Sequence, residues 1–269
     1  MEKLIKGSEV ADSDEGGGKT AFAEFFMAVK KGHGECGDSA FVYSDAEKVV
    51  AAVFDGVSGE PGASFASSDA AEAALEYLKG LASAGDKEMQ EALSRAHLNI
   101  KLGSTTAALL FLSRDGSFVI AGIGDSPIYG ISKGEVSLEL PLARAVGDGD
   151  SILKFFYFRN IVTAVLGGPA DSLDVGIRKG KLKKGEVLIL ASDGLSDNLF
   201  IKVDGGFIAE SSGKEDLEGL IAKRRGPREL VKLLMGEIAR RLEAGKTERK
   251  GGVLVPKEDD IAIVALRKL

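Results

Sequence analysis

From Ala21 onward the chain is built from short apolar runs rather than long amphipathic ones. Residues 21–29 (AFAEFFMAV), 40–44 (AFVYS) and 48–54 (KVVAAVF) are brief and rich in β-branched and aromatic side chains, which predicts strands. The period changes at 63–81. ASFASSDAAEAALEYLKGL is rich in helix formers, with Ala66, Ala70, Ala73, Ala74 and Tyr77 at helical spacing. A second helix is predicted over 87–100. Strand-like runs return at 104–113, 117–124, 126–132 and 135–140, the first two joined by Arg114-Asp115-Gly116, a hairpin signal. The aromatic run 152–158 fits either period. Residues 174–177 and 186–191 read as strands. Residues 215–244 read as one or two helices, interrupted at Gly226-Pro227, where Pro suits a helix start. The sequence closes on a strand, IAIVALRKL.

This order is not a regular alternation of strand and helix. It predicts an α+β fold, with antiparallel sheets covered by helices on their outer faces. Residues 21–269 contain no linker and no internal repeat, and are expected to form a single domain. Residues 7–19 (GSEVADSDEGGGK) are small, acidic and Gly-rich, so residues 1–20 are expected to form a flexible tail. Gly18-Lys19-Thr20 resembles the end of a phosphate-binding P-loop. However, Ser13 stands where that motif needs its first Gly, and no buried strand precedes it, so a nucleotide-binding reading fails on context.

Composition narrows the chemistry. The 269 residues include one Cys, two His and no Trp, against 41 Asp plus Glu. One Cys forms no internal disulfide and cannot furnish a Cys-rich zinc or iron–sulfur site. Two His allow at most one His-based relay, so any catalysis falls to carboxylates. The net charge of -6 offers no footprint for nucleic acid. No apolar stretch reaches the roughly 18–20 residues of a membrane span, and residues 1–11 lack the pattern of a secretory signal. A cytoplasmic protein that engages neither nucleic acid nor membrane is expected.

Four Asp-centred segments meet predicted strand ends: Gly34-Glu35-Cys36-Gly37-Asp38-Ser39, Asp55-Gly56-Val57-Ser58-Gly59, Ser192-Asp193-Gly194-Leu195-Ser196-Asp197, and Glu258-Asp259-Asp260. A carboxylate there projects from a rigid sheet edge into a loop-lined cleft. Any one Asp-Gly after a strand is ordinarily a turn. Several converging Asp repel one another, and hard divalent cations relieve that repulsion.

Taken in order, these segments resemble the metal-dependent protein phosphatases of the PPM family, the type 2C serine/threonine phosphatases. The matching series is Gly37-Asp38, Asp55-Gly56-Val57-Ser58-Gly59, Gly103-Ser104-Thr105-Thr106, Gly124-Asp125-Ser126, Asp193-Gly194-Leu195-Ser196-Asp197 and Asp259-Asp260, with residues 159–167 resembling the run before the third acidic motif. The resemblance spans about residues 21–269. It implies an αββα four-layer sandwich, two antiparallel sheets flanked by helices, holding two Mg2+ or Mn2+ ions. By the same resemblance Asp55 bridges both ions and the Gly56 carbonyl binds the second. Asp193 and Asp259 complete the first site, Asp38 holds waters of the second, and Asp125 faces a third metal where one binds. Aligning Ile261 with the apolar residue after the family's Asp-Asn puts the terminal ligand at Asp259, with Asp260 the alternative. The implied reaction is hydrolysis of phosphoserine or phosphothreonine in a phosphorylated protein by metal-activated water, without a phosphoenzyme.

Three positions depart from the family pattern. His33 stands where an Arg usually grips substrate phosphate, with Lys30 or Lys31 as other candidates; imidazole is the weaker grip, and His33 is expected to contact that phosphate. Gly37 replaces an acidic or amide residue, and Val57 replaces a His found in many members. These departures motivate a second reading, a catalytically weak relative acting as a phosphoprotein-binding regulator. Cys36 is expected to pack, and His97, on a predicted helix, to be structural. The substrate-selecting flap is expected within 141–160, whose ARAVGDGD segment has the composition of a mobile loop.

Overall fold

A computed structural model describes residues 1–168, 173–221, 226–249 and 251–269. Two six-stranded antiparallel sheets face each other. The first contains β1 (Glu2–Ile5), β4 (Asp38–Ser44), β5 (Lys48–Asp55), β6 (Ala107–Ser113), β7 (Ser117–Ile123) and β10 (Gly176–Lys181), in that spatial order. The second runs β2 (Ser13–Lys19), β3 (Ala23–Lys30), β16 (Ile261–Lys268), β11 (Val187–Ala191), β8 (Ile128–Ser132) and β9 (Glu135–Leu138). Helices α1 (Ala63–Lys79) and α2 (Asp86–Asn99) cover the first sheet. Helices α5 (Lys214–Ile221) and α6 (Pro227–Ala244) cover the second. This is the αββα sandwich implied by the motif series.

The layering explains why the strands read as unbroken apolar runs. In β5, Val49, Ala51 and Val53 point into the space between the sheets, while Val50, Ala52 and Phe54 meet α1 and α2. In β16, Ala262, Val264 and Leu266 face the inner core and Ile261, Ile263 and Ala265 face the helices. A strand buried on both sides loses the alternation that marks a half-solvated one.

One sequence reading is corrected, one left open is decided, and one sheet is new. Residues 1–20 are not a free tail. β1 pairs with β4, β2 pairs with β3, and the Gly7 amide donates to Ser39 Oγ at 2.8 Å. The glycines of β2 serve close approach: a Cβ on Gly17 would stand 2.5 Å from the Phe26 ring and 2.8 Å from the Phe25 carbonyl. The aromatic run 152–158 is a helix, α3 (Ile152–Phe158), N-capped by Ser151 Oγ. Finally, a small four-stranded sheet was not foreseen. It comprises β12 (Ile201–Asp204), β13 (Phe207–Glu210), β14 (Thr247–Arg249) and β15 (Gly252–Leu254). Its first hairpin turns at Gly205-Gly206, both at positive φ, and α3 packs on it through Phe155. Among the described residues no helix is long and apolar enough to cross a membrane.

Candidate active site

The predicted acidic residues come from strand ends that the two sheets bring to one edge. Asp38 opens β4 and Asp55 closes β5, and the antiparallel register sets them directly opposite each other. Two ionised carboxylates about 5 Å apart repel by roughly 3 kcal/mol at an effective dielectric near 20. Asp193 follows β11 and begins the short helix α4 (Asp193–Ser196); its amide donates to Asp55 Oδ2 at 3.1 Å. Asp259 and Asp260 precede β16. Asp125 follows β7, beside the hydrogen-bonded hydroxyls of Thr106 and Ser126.

Burial and mutual repulsion act together on this group. Asp38 is 1% exposed, and burial first, then the Asp260 charge, raises its carboxyl well above the ordinary range. Burial and then Asp193, Asp38 and Asp125 do the same to Asp55. Asp125 is pushed up to about 6 by burial, with Arg144 pulling the other way. Asp38 Oδ2 is buried and has no hydrogen-bond partner. Hard oxygen donors, crowded, buried and in part unpartnered, are the donor chemistry that divalent cations take. Among the described residues, however, no three His, Cys, Asp or Glu side chains are arranged to hold a metal ion as they stand.

Basic side chains, which the motif series did not point to, occupy part of this space. Lys257 Nζ lies 2.5 Å from Asp259 Oδ2, 3.3 Å from Asp193 Oδ2 and 3.9 Å from Asp197 Oδ2. Arg144, in the predicted flap, is buried and donates from Nε to Asp125 Oδ2 at 3.0 Å and from its terminal nitrogen to Ser196 Oγ at 2.9 Å. The carboxylate oxygens of Asp197 accept no hydrogen bond. Charge holds it, with Arg144 at 3.3 Å and Arg159 at 3.7 Å. Asp125 is thus committed to a guanidinium.

The two terminal acids separate. Both oxygens of Asp260 accept backbone amides, Gly32 N at 2.7 Å and Gly37 N at 2.5 Å, so its side chain ties the loop before β4 to the start of β16. Asp259 faces Lys257 instead. Gly37 and Gly56 pass close to each other: Gly56 N donates to Gly37 O at 3.1 Å, and a Cβ on Gly56 would stand 2.4 Å from the Ala63 carbonyl. On Gly194 a Cβ would lie 2.1 Å from the Asp260 carbonyl. The glycines after Asp55 and Asp193 are therefore packing requirements of the edge, which turn chemistry alone does not predict.

A cleft of about 430 Å3 opens here, lined by Gly37, Gly56, Lys257, Asp259 and, at its rim, His33. The His33 side chain is 75% exposed, with Nε2 3.0 Å from Glu258 Oε2. His97 lies elsewhere: Nδ1 accepts the Gly167 amide at 3.0 Å. Cys36 is buried, and burial, then the Asp38 charge, pushes its thiol far up, which suits packing and not nucleophilic attack.

The family model described as Protein phosphatase 2C matches residues 31–234. The chain belongs to the protein phosphatase 2C family. Solved structures of similar fold include RsbX in complex with magnesium, 17% identical, with a TM-score of 0.64, covering 95% of this chain and all of that one. The photosystem II phosphatase PBCP is 20% identical, with a TM-score of 0.63, covering 91% and 98%. The PPM Ser-Thr phosphatase MsPP from Mycobacterium smegmatis is 18% identical, with a TM-score of 0.61, covering 90% and 97%. No curated protein matches the sequence significantly.

Proposed function

We propose that this protein is a metal-dependent phosphatase of phosphoserine and phosphothreonine in proteins. The observation that carries this reading is the convergence of Asp38, Asp55, Asp193 and Asp259 at one sheet edge beside an open cleft. A pure binding module has no use for buried, mutually repelling carboxylates. Family membership supports the same reaction class.

Asp55, Asp193 and Asp259 would hold one Mn2+ or Mg2+, and Asp55 with Asp38 and the Gly56 carbonyl a second. When bound, such ions stabilise phosphoryl oxygens as Lewis acids and lower the pKa of water to the neutral range. Asp38 and Asp55 are anchored on paired strands, so their separation is set by the sheet and not by loops. Asp260 acts as a tether for the loop carrying His33. His33 at the rim would contact the substrate phosphate. Arg144 on Asp125 favours two ions over three. The substrate is a phosphorylated protein segment laid across the cleft mouth.

The test is turnover of a chromogenic phosphate ester. Activity should require Mn2+ or Mg2+, stop on chelation and return on re-addition. Asp55→Asn and Asp193→Asn should each lower kcat by at least about a thousandfold while circular dichroism stays native. Full activity in either variant would refute the site.

A second reading, a weakly active phosphoprotein-binding regulator, draws on the Glu258 contact of His33, which occupies the candidate phosphate grip. Phosphopeptide binding without turnover in Mn2+ would select it.

A further inference from the structure

Lys257 is held in place, unlike an ordinary surface lysine. Its amide donates to Asn198 Oδ1 at 3.1 Å, its carbonyl accepts Asn198 Nδ2 at 2.9 Å, and the same Asn198 nitrogen donates to the Gly194 carbonyl at 2.9 Å. One buried amide therefore clips the segment before β16 to helix α4, which begins at Asp193. From that fixed backbone the side chain, 22% exposed, enters the carboxylate cluster and sits closest to Asp259 and Asp193. Lys257 and Asp259 stand two residues apart in the segment before β16, and their side chains meet at 2.5 Å.

We propose that Lys257 is a built-in counter-cation of the metal site. Without a bound cation its ammonium pairs with Asp259 and Asp193 and offsets part of their charge, and a divalent cation can engage these carboxylates only by displacing it. This rests on the reading of the site given above. The physical case is one of charge. Buried carboxylates gathered without a cation repel one another. An ammonium offers three hydrogen-bond donors but one positive charge, so it reaches Asp259 and Asp193 while leaving net negative charge in the cluster, and Asp38 Oδ2 remains unpartnered. A dication approaching the same oxygens meets like charge and must take over lone pairs the ammonium holds. Metal loading is then an exchange, and its affinity is set below what the carboxylates alone would give. Without a cation, the ammonium offsets part of the repulsion among these carboxylates.

Calorimetry of Mn2+ binding to the metal-free chain tests this, comparing wild type with Lys257→Met and Lys257→Arg. Lys257→Met should bind Mn2+ on the order of tenfold more tightly, and Lys257→Arg should not. In chelator, Lys257→Met should melt below wild type and gain more on adding Mn2+. A second measurement needs no variant. Acetylation of Lys257 by a water-soluble anhydride, read by mass spectrometry, should rise several-fold when Mn2+ is added to wild type. Equal or weaker Mn2+ binding by Lys257→Met, or labelling unchanged by Mn2+, overturns the proposal while leaving the metal reading intact. Absence of Mn2+ binding in wild type and Lys257→Met alike overturns both.

Discussion

Single side chains divide this site into acids proposed to meet ions, those that tie loops and those that supply positive charge. Adjacent acids illustrate the division. Asp260 spends both oxygens on backbone amides, whereas one residue earlier Asp259 faces Lys257. Sequence alone favoured Asp259 only through the alignment of Ile261, because one residue of register separates the two and both are Asp. His33 is the exposed member, and its role is testable on its own. His33→Ala should raise KM for a phosphate ester about three- to tenfold with kcat little changed, since a rim contact adds binding before it adds chemistry. Steady-state kinetics in saturating Mn2+ measure it, and unchanged kinetics would remove His33 from the site. Lys257 and Arg144 lay outside the reading by motif. Basic residues in loops are ordinarily solvated, and only the folded chain shows that these two enter the acidic cluster.

Elements follow the periodicity where packing agrees with it. The α1 and α2 periods, the β5 and β16 runs and the Pro-started α6 were legible because each buries a face its pattern advertises. β2 was not, since three glycines advertise nothing; its reason is the flat approach to β3. Within α6, Glu237 provides a local stability test. Its hydrogen bond from Arg240, then that from Arg241, hold its carboxyl down at about 2 from an ordinary 4.5. A lowered folded-state value means the stabilisation is present above about pH 4.5 and is lost as pH falls toward 2. Because part of the pair is solvated, Glu237→Gln should cost only about 1 kcal/mol at pH 7 in urea unfolding. The gap to wild type should close as the pH is lowered through that window, and a gap independent of pH would contradict the assignment.

At the scale of the whole molecule, both ends of the chain are structural. β1 and β2 each complete one edge of the sandwich, and β16 lies inside the second sheet between β3 and β11. Deletion of residues 1–20 should therefore lower the melting temperature by more than about 5 °C, through lost pairing on β3 and β4. It should also weaken Mn2+-dependent activity, because the removed segment braces Ser39 beside Asp38. A truncated chain that melts and turns over like the full one would restore the free-tail reading.

By itself the sequence determined the layering and the set of acids that gather at one edge. Unbroken apolar strands demand cover on both faces, and Asp placed at strand ends must reach an edge whatever the detailed packing. Only the tertiary structure decided which acids meet one another, which are spent on backbone amides and which cations join them. Those outcomes depend on contacts between residues as far apart as Gly32 and Asp260 or Asp55 and Asp193. No local period encodes such pairings, because they arise where two sheets with separate registers are brought to a common edge.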